Sequence, residues 1–157
     1  MNSNQTPDFK PKDIVLNISQ VVKDGIKQSV LASKGNDWES VVGVLDNNEH
    51  LIGKEMSVNS HLNAVMFSEK FNKDYEKTLP IISNYYSDLG ANEDLYEAFK
   101  RVKNTNLNDQ QKHIVKDSIK GFELSGVALK GSDSKRFKEI QERLSAVSYT
   151  HLRAHET

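Results

Sequence analysis

The feature that most constrains this chain is the spacing of its large apolar residues, which return every third or fourth position over most of its length. Between Ser68 and Leu89 the series Phe71, Tyr75, Leu79, Ile82, Tyr85, Tyr86 and Leu89 keeps that step throughout. A 3.6-residue period gathers such side chains on one side of an α-helix, whereas a half-buried strand needs strict alternation. Ile14, Ile18, Val21, Val22, Ile26 and Val30 repeat the helical pattern from Asp13 to about Ala32. Trp38, Val41, Val42 and Leu45 do so next, followed by Ile52, Met56, Leu62 and Val65 within a segment from about Glu49 to Met66. The same step recurs in Leu95, Phe99 and Val102, in Val115, Ile119 and Phe122, and in Phe137, Ile140, Leu144 and Val147. No run alternates convincingly with period two. The expectation is therefore all-α: about seven helices with short links, arranged as an antiparallel multi-helix array.

Polar clusters set the expected boundaries. Ser33-Lys34-Gly35-Asn36 ends the first helix, with Gly35 suited to a left-handed C-terminal position. Asn36 or Asp37 caps the next helix, in which Trp38 is read as a packing anchor. Asp46-Asn47-Asn48 is expected to close that helix before a third, irregular one begins. Ser68 is the expected N-cap of the clearest helix, which Pro80 should bend by removing a backbone donor. Gly90 stops it, Asn92 starts a short successor, and Asn108 or Asp109 opens the following helix. Leu124 to Ser134, with Gly126 and Gly131, reads as a loop before a last helix from about Asp133. Residues 1–12, with Pro7 and Pro11, read as a flexible lead-in.

Charge and composition narrow the function. The 21 basic and 22 acidic residues leave a net charge of -1, so the cationic excess that draws phosphate backbones is missing and no nucleic-acid partner is expected. The absence of cysteine removes disulfides, thiolate nucleophiles and Cys-ligated metal, and fits a cytoplasmic location. No stretch approaches 18 continuous apolar residues, and the start lacks the pattern of a secretory signal, so no membrane association is expected.

The candidate chemical groups read as structural. His151 and His155 lie four apart, as two zinc ligands on a helix do, but Leu152 occupies the position where HExxH carries its water-activating glutamate. A surface tail is the better reading. His50 and His61 have no neighbouring ligand cluster, and His113 sits among Gln111, Lys112 and Lys116 as on a solvated face. Glu93 and Asp94 belong to the first turn of a helix, where negative charge meets unpaired amides. Glu139, Glu142 and Arg143 make surface relations one turn apart. Gly121 and Gly126 follow a helix rather than a strand, so they suit close packing and helix termination instead of dinucleotide binding. Ser125 has no strand-to-helix nucleophile elbow around it. Phe71, Tyr75, Tyr85 and Tyr86 have core spacing; Tyr85 and Tyr86 point 100° apart, so one can be buried while the other reaches an edge or a cavity. No residue of the chain is assigned a catalytic, cofactor-binding or metal-binding role.

Four longer phrases carry a resemblance. They are Val58-Asn59-Ser60-His61-Leu62-Asn63-Ala64-Val65, Tyr75-Glu76-Lys77-Thr78-Leu79-Pro80-Ile81-Ile82-Ser83-Asn84-Tyr85, Phe122-Glu123-Leu124-Ser125-Gly126-Val127, and the run from Arg136 to Ser145. In this order they resemble the N-terminal region of oligopeptidase A-type enzymes, zinc metallopeptidases of the thimet-oligopeptidase group, over about residues 8–147. The resemblance implies a longer parent in which residues 13–147 form an N-terminal helical region, one wall of a deep channel. The catalytic zinc and its HExxH motif would lie in a later region of the same polypeptide, the partner of these helices. Short peptides would be the parent's substrates and the cytoplasm its location. Residues 148–157 depart from the family and are similar to translated adapter sequence, so a truncated gene with a non-native tail is expected. The competing reading is a stand-alone helical peptide-binding or scaffold module without catalysis.

Overall fold

The computed structural model describes residues 13–65, 68–137 and 139–140, and among these every regular element is a helix. In chain order they are α1 (Ile14–Ala32), a π-helical turn (Glu39–Gly43) running directly into α2 (Val44–Val65), α3 (Glu69–Gly90), α4 (Glu93–Lys103) and α5 (Asp109–Leu124). Residues 132–137 are helical again. The lead-in 1–12, the tail 148–157, and Glu142, Arg143, Leu144 and Val147 lie outside the described residues.

Local chemistry sets several ends as the sequence predicts. The Asp37 carboxylate accepts from the Ser40 amide at 2.9 Å and from its hydroxyl at 2.8 Å. The Asn92 side chain accepts from the Leu95 amide and opens α4. Asn108 and Gln111 form a reciprocal capping box at the start of α5. Ser68 occupies the N-cap of α3 without a side-chain capping bond. Gly126 ends α5 at φ 81°, with its amide bonded to Glu123 and the Val127 amide bonded to Phe122. That is the paired bonding of a Schellman ending, in which a β-carbon would oppose the left-handed backbone. Pro80 is carried inside a helix that runs uninterrupted from Glu69 to Gly90.

Other expectations are corrected. The run Asp46-Asn47-Asn48 does not close a helix but lies within one continuous helix, because Asn48 turns inward and its amide reaches the Gly25 carbonyl of α1 at 3.4 Å. Gly35 does not take a left-handed backbone. Its role is steric: a β-carbon there would stand 2.7 Å from both Ser40 Oγ and Val41 Cγ2. In α1 the buried line is Ile14, Ile18, Val22, Gly25, Ser29 and Ala32, while Ile26 and Val30 are 48% and 49% exposed. In α3 it is Phe71, Thr78 and Tyr85, with Leu79 exposed. In α2 the buried residues are Asn48, Ile52 and Asn59, and Val65 is exposed.

The packing explains those shifts. Asn63 bonds Asn72, and Glu49 bonds Tyr86, so position numbers fall along α3 as they rise along α2, and the two helices run antiparallel. α1 packs against both of them. Ile18, Val22, Ile52 and Tyr85 form the core of this three-helix layer. A second core gathers Ala32, Val41, Val42, Leu95, Phe99, Val102, Val115 and Phe122 between the π-helical turn, α4 and α5, with Trp38 packed against it as an anchor. Leu89 touches both cores. Among the described residues five ion pairs join side chains one turn apart, all on exposed or partly exposed surface where solvent screens them.

Two glycines separate steric need from simple helix cost. Gly53 lies exposed inside α2 with open space where a β-carbon would sit, so Gly53→Ala should raise stability by about 1 kcal/mol. Gly35→Ala should lower it by roughly 1–3 kcal/mol, because the added methyl overlaps the fully buried Val41. Urea unfolding of the two variants checks both signs.

Candidate functional site

Two of the concavities between the helices differ in character. One, of about 510 Å³, lies between α1, the π-helical turn and α2, and mixes charged and amide side chains such as Asp24, Glu39, Asn47 and Lys54 with apolar Val21, Val44 and Leu51. The other, of about 370 Å³, has a largely apolar surface. One wall is Val42 of the π-helical turn with Leu45, Asp46 and Glu49 of α2, residues that follow one another at three- and four-residue steps. Tyr86 and Leu89 come from α3, Phe99 from α4, and Ser118, Gly121 and Phe122 from α5. Gly121 is not a close-packing contact: a β-carbon there would meet nothing within 4 Å.

The adjacent tyrosines divide as their angular separation predicts. Tyr85 is 4% exposed and belongs to the three-helix core, while Tyr86 is 38% exposed and lines the apolar cleft. Their rings meet edge to face at 5.3 Å. The Tyr86 hydroxyl donates to the Glu49 carboxylate, with oxygen separations of 2.9 and 3.0 Å. Burial first, and then the bond to Glu49 and its charge, push the Tyr86 phenol far above its ordinary value of 10.0. Burial followed by the same carboxylate raises Tyr85 as well. Nearby, Tyr96 donates to Glu123 at 3.1 Å and carries the Lys100 ammonium 5.0 Å from its ring centre.

The groups singled out in the sequence do not assemble. His50 and His61 lie exposed on α2, and His113 lies exposed on α5. Among the described residues no three of His, Cys, Asp and Glu gather as a metal site. His151 and His155 lie outside those residues. Glu93 and Asp94 occupy the first turn of α4, and Ser125 is the C-cap of α5. The Glu49–Tyr86 pair is the feature that sequence reasoning missed. Its members stand 37 positions apart, and only the angular offset of Tyr86 from Tyr85 hinted that this ring reaches a cavity.

The model of the neurolysin/thimet oligopeptidase N-terminal domain matches residues 17–135, most of the chain. This chain belongs to that family. Oligopeptidase A of Salmonella typhimurium is 32% identical over 144 residues, covering 87% of this chain and 21% of its own length. Oligopeptidase A of Escherichia coli is 31% identical over 142 residues, covering 86% and 21%. The Haemophilus influenzae protein of the same name is 29% identical over 157 residues, covering 94% and 23%. The neurolysin/thimet-type domain described here thus spans about a fifth of the length of the curated relatives it matches. No solved structure matches significantly. No helix among the described residues is long and apolar enough to cross a membrane.

The raised phenols give the domain an alkaline limit. A group with a higher pKa in the folded state lends its full contribution below the unfolded value and loses it as pH rises. Stability should therefore hold level up to about pH 10 and fall above it, where unfolded chains shed tyrosine protons that folded chains keep. The fall should be shallower in Tyr86→Phe. Urea midpoints measured against pH for both proteins test this, and equal alkaline slopes would count against the assignment.

Proposed function

We propose that these helices form part of the channel wall of a zinc-dependent oligopeptidase that hydrolyses short peptides in the cytoplasm. The observation that carries the reading is the family match over residues 17–135, a span that runs from the first turn of α1 through α5 into the helical residues 132–137. The bacterial relatives are named as oligopeptidases, and they extend to about five times the matched length.

Zinc, if the parent uses it, does not fit the described residues: their three histidines are exposed and none has two further ligands beside it. The metal would polarise the scissile carbonyl and activate water from sites elsewhere in the parent. These helices would instead contribute shape, packing against the catalytic region of the same polypeptide and limiting entry to short, unfolded peptides.

The test is a chimaera in which residues 13–140 replace the matched N-terminal fifth of the Escherichia coli relative. It should cleave a quenched fluorescent peptide of about ten residues and spare a folded protein carrying the same sequence, whereas the catalytic part alone should lose activity or lose that length limit. Hydrolysis of the peptide by this chain alone would overturn the reading.

A further inference from the structure

The apolar cleft carries an electrostatic asymmetry that the fold itself does not use. Its floor is formed by Leu45, Leu89, Phe99 and Phe122, and two carboxylates, Asp46 and Glu49, stand at its rim one turn apart on α2. No lysine, arginine or histidine lines it. The ion pairs among the described residues join Lys27 to Asp24, Lys73 to Glu69, Lys77 to Asp74, Lys100 to Glu97 and Lys112 to Asp109, so neither rim carboxylate is neutralised by one. Among the described residues Glu49 accepts only the neutral Tyr86 hydroxyl, which leaves its charge intact and fixes the ring beside it. Opposite, the α5 wall is left low by Gly121, where open space replaces a side chain.

We propose that this groove binds a short peptide segment bearing an arginine next to an aliphatic residue. The aliphatic side chain would lie on Leu45, Phe99 and Phe122, removing apolar surface from water. The arginine stem would pass over Tyr86, and its planar guanidinium would meet Asp46 and Glu49. Arginine fits better than lysine because it combines an aromatic-stacking face with donors in a fixed fork for carboxylates. The volume of about 370 Å³ falls within the roughly 300–1,000 Å³ of ligand clefts and suits a few side chains rather than a folded partner. The inference does not depend on the peptidase reading, since a protein that binds such a segment without cleaving it satisfies it.

The experiment is an amide-shift titration of the full 157-residue, isotope-labelled chain with acetyl-Leu-Arg-Leu-amide. Saturable shifts are expected at Glu49, Ser118 and Gly121. Replacing arginine by uncharged citrulline should weaken binding about tenfold, and the Asp46→Asn/Glu49→Gln double variant should do the same. Gly121→Leu, which fills the groove without touching its charge, should also cost about tenfold, and the amide spectrum of each variant reports whether its fold is kept. Glu97→Gln, which alters a carboxylate already paired with Lys100 outside the groove, should leave binding unchanged. Equal affinity for the citrulline peptide, shifts scattered over the acidic surface, equal loss in Glu97→Gln, or no saturable shift would each overturn the proposal.

Discussion

The close approach of α1 to its neighbours at Gly25 is the constraint on which the rest of the arrangement depends. A β-carbon at that position would stand 3.1 Å from the Tyr85 hydroxyl, and the Gly25 carbonyl receives the Asn48 amide from α2. Three helices therefore converge on a residue with no side chain, and the neighbouring buried positions, Ser29 and Ala32, are small as well. Dispersion between atoms grows steeply with proximity, so small residues at a helix crossing can stabilise it without large apolar groups. The consequence reaches the cleft. With Tyr85 held against Gly25, its neighbour is turned about 100° round α3, which brings Tyr86 to Glu49.

How much of this was legible depends on whether the deciding interaction is local. Asn92 and Asn108 cap helices through bonds spanning three residues, and the phrases around them disclose the ends directly. The helical period located α1, α3, α4 and α5, since it is a property of one segment at a time, but the polar run Asp46-Asn47-Asn48 divided α2 in two. The buried faces were less legible. Hydrophobicity points Ile26, Val30 and Leu79 inward, but tight crossings place Gly25, Ser29 and Thr78 there instead. Asp46-Asn47-Asn48 looks like a terminator because those side chains compete with helix hydrogen bonds when solvated. Asn48 is committed to α1, so that competition is removed.

The cleft was the least legible feature for a related reason. Periodicity states which residues share a helix side but carries no register between one helix and another. Glu49 meets Tyr86, and Phe99 meets Phe122 at 5.4 Å between ring centres, only once α2, α3, α4 and α5 have been set side by side. The family match runs over these helices together, residues 17–135, and does not rest on a single short motif.

Arg101 shows how the two cores are held in one unit. From the last turn of α4 its guanidinium donates to the Ser33 carbonyl at 2.7 Å and to the Gly35 carbonyl at 2.9 and 3.2 Å. These oxygens lie where α1 ends and helical partners run out. A residue 66 positions away thus acts as the latch of the first helix. Fraying of α1 at that end would have to release α4, and loosening of α4 would expose the same carbonyls, so the layers on either side of this latch resist opening separately.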